Sequence, residues 1–164
     1  MRGNWIVFHV HNEEGIGKFM RIGVILASHG EFAKAALGAV EMIAGKQADV
    51  ATLSLTAEKS LETFEAEMKD AYAQLSSECD LVVALCDIYG GTPFNVITRC
   101  LASGMDMVAY TGLSMPVVVE LLLTRDGLES AEAVRAQLAS AHAQAQAEIK
   151  APVVSEADDD DLDL

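Results

Sequence analysis

"RIGVILASHGEFAKAALGAVEMIAG" (residues 21–45) begins with an apolar run of strand length, residues 21–27. It continues through Ser28-His29-Gly30 into a stretch with a different period. Over residues 31–44, Phe32, Ala36, Ala39, Val40 and Ile43 recur at helical spacing, and Gly45 ends the helix. A strand apolar on both faces needs cover on both faces. With helices alternating between such strands, a parallel sheet covered on both sides supplies that cover.

The rest of the chain repeats the unit. Residues 49–55 predict a second strand. Residues 57–75 predict an amphipathic helix with Leu61, Phe64, Met68, Tyr72 and Leu75 on one face, capped by Thr56 or Ser54. "DLVVALCD" (80–87) is apolar until Asp87, and "GGTPFN" (90–95) is a turn feeding a helix that runs through 99–103. Residues 105–111 predict a short strand. Residues 114–125 predict a helix opened by Pro116, with strand as the alternative because β-branched residues abound. After the break at Asp126-Gly127, residues 128–150 predict a long Ala-rich helix, and 152–158 a short edge strand. The order β-α-β-α-β-α-β-α-α with right-handed crossovers predicts a doubly wound, mostly parallel four-stranded sheet of order 2-1-3-4 with helices on both faces.

Composition narrows the function classes. The 164 residues are 51% hydrophobic and carry a formal net charge of −14. That charge argues against nucleic acid and against an anionic membrane surface. No apolar run reaches the length of a membrane span, and the N-terminus lacks the features of a signal peptide. Cys79, Cys86 and Cys100 form no CxxC pair and read as reduced, buried thiols of a cytoplasmic protein. Residues 1–19 read as an extension outside the core, with Met20 as the natural start. Residues 20–150 read as one domain. Residues 151–164 read as an acidic tail, in which Glu156, Asp158, Asp159, Asp160, Asp161 and Asp163 crowd. "GIGK" (15–18) lacks the first glycine of a phosphate loop, because residue 12 is Asn12.

The topology itself points to a site. In open α/β sheets, ligands bind beyond the carboxyl ends of the strands, where winding reverses. In order 2-1-3-4 this lies between the first and third strands. His29 follows the first and Asp87 ends the third. A carboxylate bonded to one imidazole nitrogen selects a tautomer whose other nitrogen offers a lone pair, as nucleophile or base. Gly30 at one helix start, and Gly90, Gly91 and Thr92 at another, bring anion-binding groups. That set suits a phosphoryl group carried on His29. Plainer readings stand beside it: His29 as a packed loop residue, and Asp87 as a helix cap. His9, His11 and His142 show no zinc spacing with a cysteine pair, and Ser28 lacks a G-x-S-x-G context.

"GVILASHGEFAKAALGAVEMIAG" followed by "LCDIYGGTPFN" resembles the IIA domains of the mannose-family phosphoenolpyruvate:sugar phosphotransferase systems (mannose, fructose, sorbose and N-acetylgalactosamine types). "TGLSMPVVVELLLTRDGL" (111–128) is similar to a later family segment, and the likeness runs from about Met20 to Lys150. The resemblance implies that the phosphocarrier HPr phosphorylates His29, that Asp87 orients it, and that Thr92 is the hydroxyl of the glycine turn. Ser28, Gly30, Gly90 and Gly91 then border the phosphoryl group. It further implies transfer to a IIB component, indirect coupling to membrane IIC and IID components, no metal or cofactor, and a homodimer exchanging an antiparallel edge strand, for which 152–158 is a candidate. No IIB domain follows, so a separate IIB partner is expected. The alternatives are a phosphodonor domain for another kinase, such as a dihydroxyacetone kinase, a phosphohistidine regulatory module, and a scaffold with an idle histidine. "TRDGL" (124–128) resembles amino-sugar members, and the sugar is otherwise unspecified.

Overall fold

The computed structural model describes residues 19–146. The expected extension, the acidic tail and the candidate strand at 152–158 lie outside these residues. Four strands alternate with helices: β1 (Ile22–His29), α1 (Phe32–Ala44), β2 (Val50–Leu55), α2 (Leu61–Glu78), β3 (Leu81–Cys86), α3 (Thr92–Ala102) and β4 (Val108–Thr111). Then come α4 (Met115–Thr124), a single 3-10 turn at Arg125–Gly127, and α5 (Ala131–Gln144). All three strand pairings are parallel, and the order is β2-β1-β3-β4. The sequence expectation for the sheet therefore holds.

β1 and β3 are central and buried along almost their whole length, which is why they read as apolar runs. Their alternate side chains feed two cores. Ile22, Val24 and Leu26 meet α1, α4 and α5 on one face. Ile25 and Ala27 meet Phe64, Met68, Val96 and Ile97 of α2 and α3 on the other.

Three local expectations need correction. α2 starts at Leu61, and its cap is Ser60, whose hydroxyl accepts from the Thr63 amide at 3.1 Å. Neither Thr56 nor Ser54 serves, because Lys59 N–H closes a turn on the Thr56 carbonyl before the helix begins. In α1, Phe32 (45% exposed) and Ile43 (68%) face outward, while Ala33, Ala36 and Val40 are buried. The small alanines are the contact face. α5 starts at Ala131 and not at 128, because Ser130 caps it by accepting from the Ala133 amide.

α4 is a helix, with Pro116 in its first turn where a missing N–H costs nothing. Just beyond it, Arg125 is buried. Its guanidinium donates to the Ile22 carbonyl at 3.0 Å and the Ala48 carbonyl at 2.6 Å. It thereby ties the end of α4 to the start of β1 and to the loop before β2, at the end of the strands opposite His29.

Candidate functional site

β1 and β3 are hydrogen-bonded neighbours with Ala27 opposite Cys86, so Ser28-His29 at the end of β1 and Asp87 just past β3 come side by side. The Asp87 carboxylate is held by three donors. One oxygen accepts from the His29 amide at 2.9 Å and lies 2.9 Å from His29 Nδ1. The other accepts from the Ile88 amide at 2.9 Å. Burial pushes the Asp87 carboxyl up, but these hydrogen bonds and the His29 charge outweigh it and hold the group below the ordinary carboxylate range. An ionised Asp87 can only accept, so Nδ1 carries a proton, and the neutral form of the ring then has its lone pair on Nε2. The Asp87 side chain is 15% exposed and that of His29 is 41% exposed, so the imidazole reaches solvent while its partner is sheltered.

The glycine turn approaches the same ring. Gly91 caps α3, and a β-carbon built there would lie 2.7 Å from His29 Cε1 and 3.4 Å from Nε2. Gly90 has φ of +75°, which favours glycine. Asn95 Nδ2 donates to the Gly90 carbonyl at 3.3 Å and steadies the turn. Thr92 opens α3, whose first amides have no partner within the helix.

The other turn is built differently from the sequence reading. Ser28 is fully buried, and its hydroxyl accepts from the Ala33 amide at 2.7 Å. Ser28 thus secures the start of α1. Gly30, at φ of +54°, donates its amide to the Leu55 carbonyl at 2.8 Å, so that amide is spent on β2. The Ile88 amide, absent from the sequence reading, is one of the three donors on Asp87. Also unforeseen is an apolar rim: Phe32, Ile88 and Tyr89 (79% exposed) are exposed next to these residues, and the Tyr89 ring lies 4.7 Å from that of Phe94. Ile88 and Tyr89 sit in a turn and carry no periodic signal, and Phe32 reads as part of the α1 stripe.

Cys86, one residue before Asp87, is buried, and burial and the Asp87 charge push its thiol up to about 11. It stays protonated and is no nucleophile at neutral pH. Among the described residues no group of three or more His, Cys, Asp or Glu could hold a metal ion. Among them, too, no helix is long and apolar enough to cross a membrane.

Residues 23–138 match the family model EIIA-man, the phosphotransferase system (PTS) fructose IIA component. The chain belongs to this family. EIIA-man proteins are IIA components of sugar phosphotransferase systems, and the four-stranded sheet agrees with solved members. The chain is 28% identical over 107 residues to the PTS system fructose-specific EIIA component of Bacillus subtilis, covering 65% of this chain and 73% of that one. It is 29% identical over 107 residues to the PTS system mannose-specific EIIAB component of Escherichia coli, again over 65% of this chain. That match spans only 33% of the longer protein. The mannose/sorbose specific IIA subunit from Enterococcus faecalis superposes with a TM-score of 0.70 at 29% identity, over 81% of this chain and 98% of that one.

Proposed function

We propose that this EIIA-man protein is a phosphocarrier: His29 accepts a phosphoryl group from phosphorylated HPr and passes it to a IIB component, coupled to sugar uptake. One observation carries the reading. The Nδ1 side of an accessible imidazole is bonded to Asp87, which leaves Nε2 outward with its lone pair. In the transfer, the phosphorus–nitrogen bond on the donor breaks and a phosphorus–Nε2 bond forms. The Nδ1 proton stays where it is, and Asp87 stabilises the positive charge that develops on the ring. No proton has to leave, so the step asks chiefly for alignment and for groups that tolerate the phosphoryl charge.

Gly90, Gly91 and Thr92 border the phosphoryl group at the start of α3, where helix amides favour an anion. Gly30 gives the turn its left-handed geometry. Ser28 serves the site by holding that turn in place. The unit of transfer is residues 20–150, acting in the cytoplasm. A homodimer that exchanges an antiparallel edge strand, with residues 152–158 as the candidate, completes this reading; among the described residues β4 is an edge of the sheet. An apolar cleft of about 120 Å³ beside β4, lined by Phe94, Ile97, Leu101 and Tyr110 among others, gives such a strand a place to bury side chains.

The test is to incubate the protein with phosphoenolpyruvate, the general phosphotransferase enzyme and HPr. An acid-labile phosphoryl adduct is expected. It must disappear in His29→Ala, and its persistence there would sink the assignment.

A further inference from the structure

We infer that Gly91 is a positioning residue for the imidazole: the absence of a side chain at 91 lets the His29 ring lie against the start of α3, with Nε2 facing outward. This rests on the phosphocarrier reading of the same site. The Asp87 bond pins the ring at Nδ1 only and leaves it free to swing about that corner. The Cε1–Nε2 edge of the ring runs from beside that corner to the outer nitrogen. There the backbone of Gly91 forms the wall, close enough that a methyl group would stand 2.7 Å from Cε1. That is well inside van der Waals contact, and the next atom met is Nε2 itself at 3.4 Å. A side chain at 91 therefore has one large effect, which is to swing the ring. The swing breaks the Nδ1 alignment with Asp87 and re-aims the atom that takes the phosphoryl group.

The position is well suited to a test because nothing else there requires glycine. Gly91 has φ of −72° and ψ of 172°, a conformation open to any residue. The neighbouring Gly90 and Gly30 have open space at the β-carbon but left-handed φ, so substitutions there strain the backbone without touching His29. Serine is a preferred helix cap, so Gly91→Ser keeps or improves the start of α3 while adding the offending β-carbon. Gly38→Ala, on exposed α1 with open space at its β-carbon, is the control.

The experiment compares Gly91→Ala and Gly91→Ser with wild type in the full chain. Circular dichroism and thermal melting report the fold, imidazole ¹⁵N NMR reports the His29 tautomer, and the rate of transfer from phosphorylated HPr reports function. Melting is expected to be near wild type in both variants. The His29 ring signals are expected to move from a single Nδ1-protonated form towards a tautomer mixture. Transfer is expected to slow about 100-fold, the scale of a misplacement of about 1 Å. Gly38→Ala should leave the ring signals and the transfer rate unchanged and should raise melting by a few degrees, because alanine is favoured over glycine inside a helix. Unmoved His29 signals, or transfer within about two-fold of wild type, would overturn the inference, as would loss of fold in both variants. If wild type accepts no phosphoryl group, the phosphocarrier reading fails, while the tautomer comparison still decides what Gly91 does to the ring.

Discussion

Asp87 satisfies two backbone amides and one imidazole with a single carboxylate, and asparagine cannot do the same. Its amide nitrogen donates, so one of the three donors must face another donor. Asp87→Asn is therefore expected to lose about 1–3 kcal/mol of stability and to slow phosphoryl transfer by about 100-fold or more. A wild-type rate in this variant would reduce Asp87 to a structural clamp. The pH dependence follows from the depressed folded-state value. A lowered carboxyl contributes stability above its unfolded value near about 4 and loses that contribution as pH falls through the folded value. Urea midpoints between about pH 6 and pH 3 should fall less steeply in Asp87→Asn than in wild type. The pairing of His29 with Asp87 was legible in the sequence because strand order alone brings the ends of β1 and β3 together. The duties of Ser28 and Gly30 were not. Their partners, the Ala33 amide and the Leu55 carbonyl, depend on the path of the short turn between β1 and α1, which no spacing rule encodes.

At the scale of elements, α1 shows where periodicity misleads. Phe32, Ala36, Ala39, Val40 and Ile43 form a helical stripe, yet the buried positions are Ala33, Ala36 and Val40. Large side chains dominate a periodic pattern, whereas close approach of a helix to a sheet selects small ones. The two registers predict opposite outcomes. Ile43→Ser should change stability by no more than about 0.5 kcal/mol, and Val40→Ala should cost about 2 kcal/mol in denaturant unfolding. The cap of α2 was missed for a related reason: Thr56 and Ser54 precede the apolar pattern, but an intervening turn moves the helix start to Ser60. Ser60→Ala should cost about 1 kcal/mol. Element types and their order were otherwise readable, because doubly buried strands and amphipathic helices leave different signatures.

For the molecule as a whole, the carboxyl ends of the central strands carry the site and the opposite end of the sheet carries Arg125. Burial lowers the affinity of Arg125 for its proton, and two backbone carbonyls compensate the charge. No periodic signal could have announced a cation that bonds to residues 22 and 48. Arg125→Ala leaves both carbonyls without this donor and should cost roughly 2–4 kcal/mol. A variant within about 0.5 kcal/mol of wild type would show that water replaces the guanidinium. Net charge acts at longer range. At −14 the protein should meet a positively faced donor faster at low salt, and transfer from HPr should slow as salt rises. Equal rates at low and high ionic strength would remove steering from the account.

The central claim is that Asp87 reserves Nδ1 of His29 and leaves Nε2 to take the phosphoryl group. NMR of the phosphorylated protein, with ¹⁵N in the imidazole and ³¹P on the adduct, identifies the bonded nitrogen directly. Phosphorus on Nε2 of His29, with the Nδ1 proton retained, is the predicted result. Phosphorus on Nδ1, or on any other residue, would contradict it.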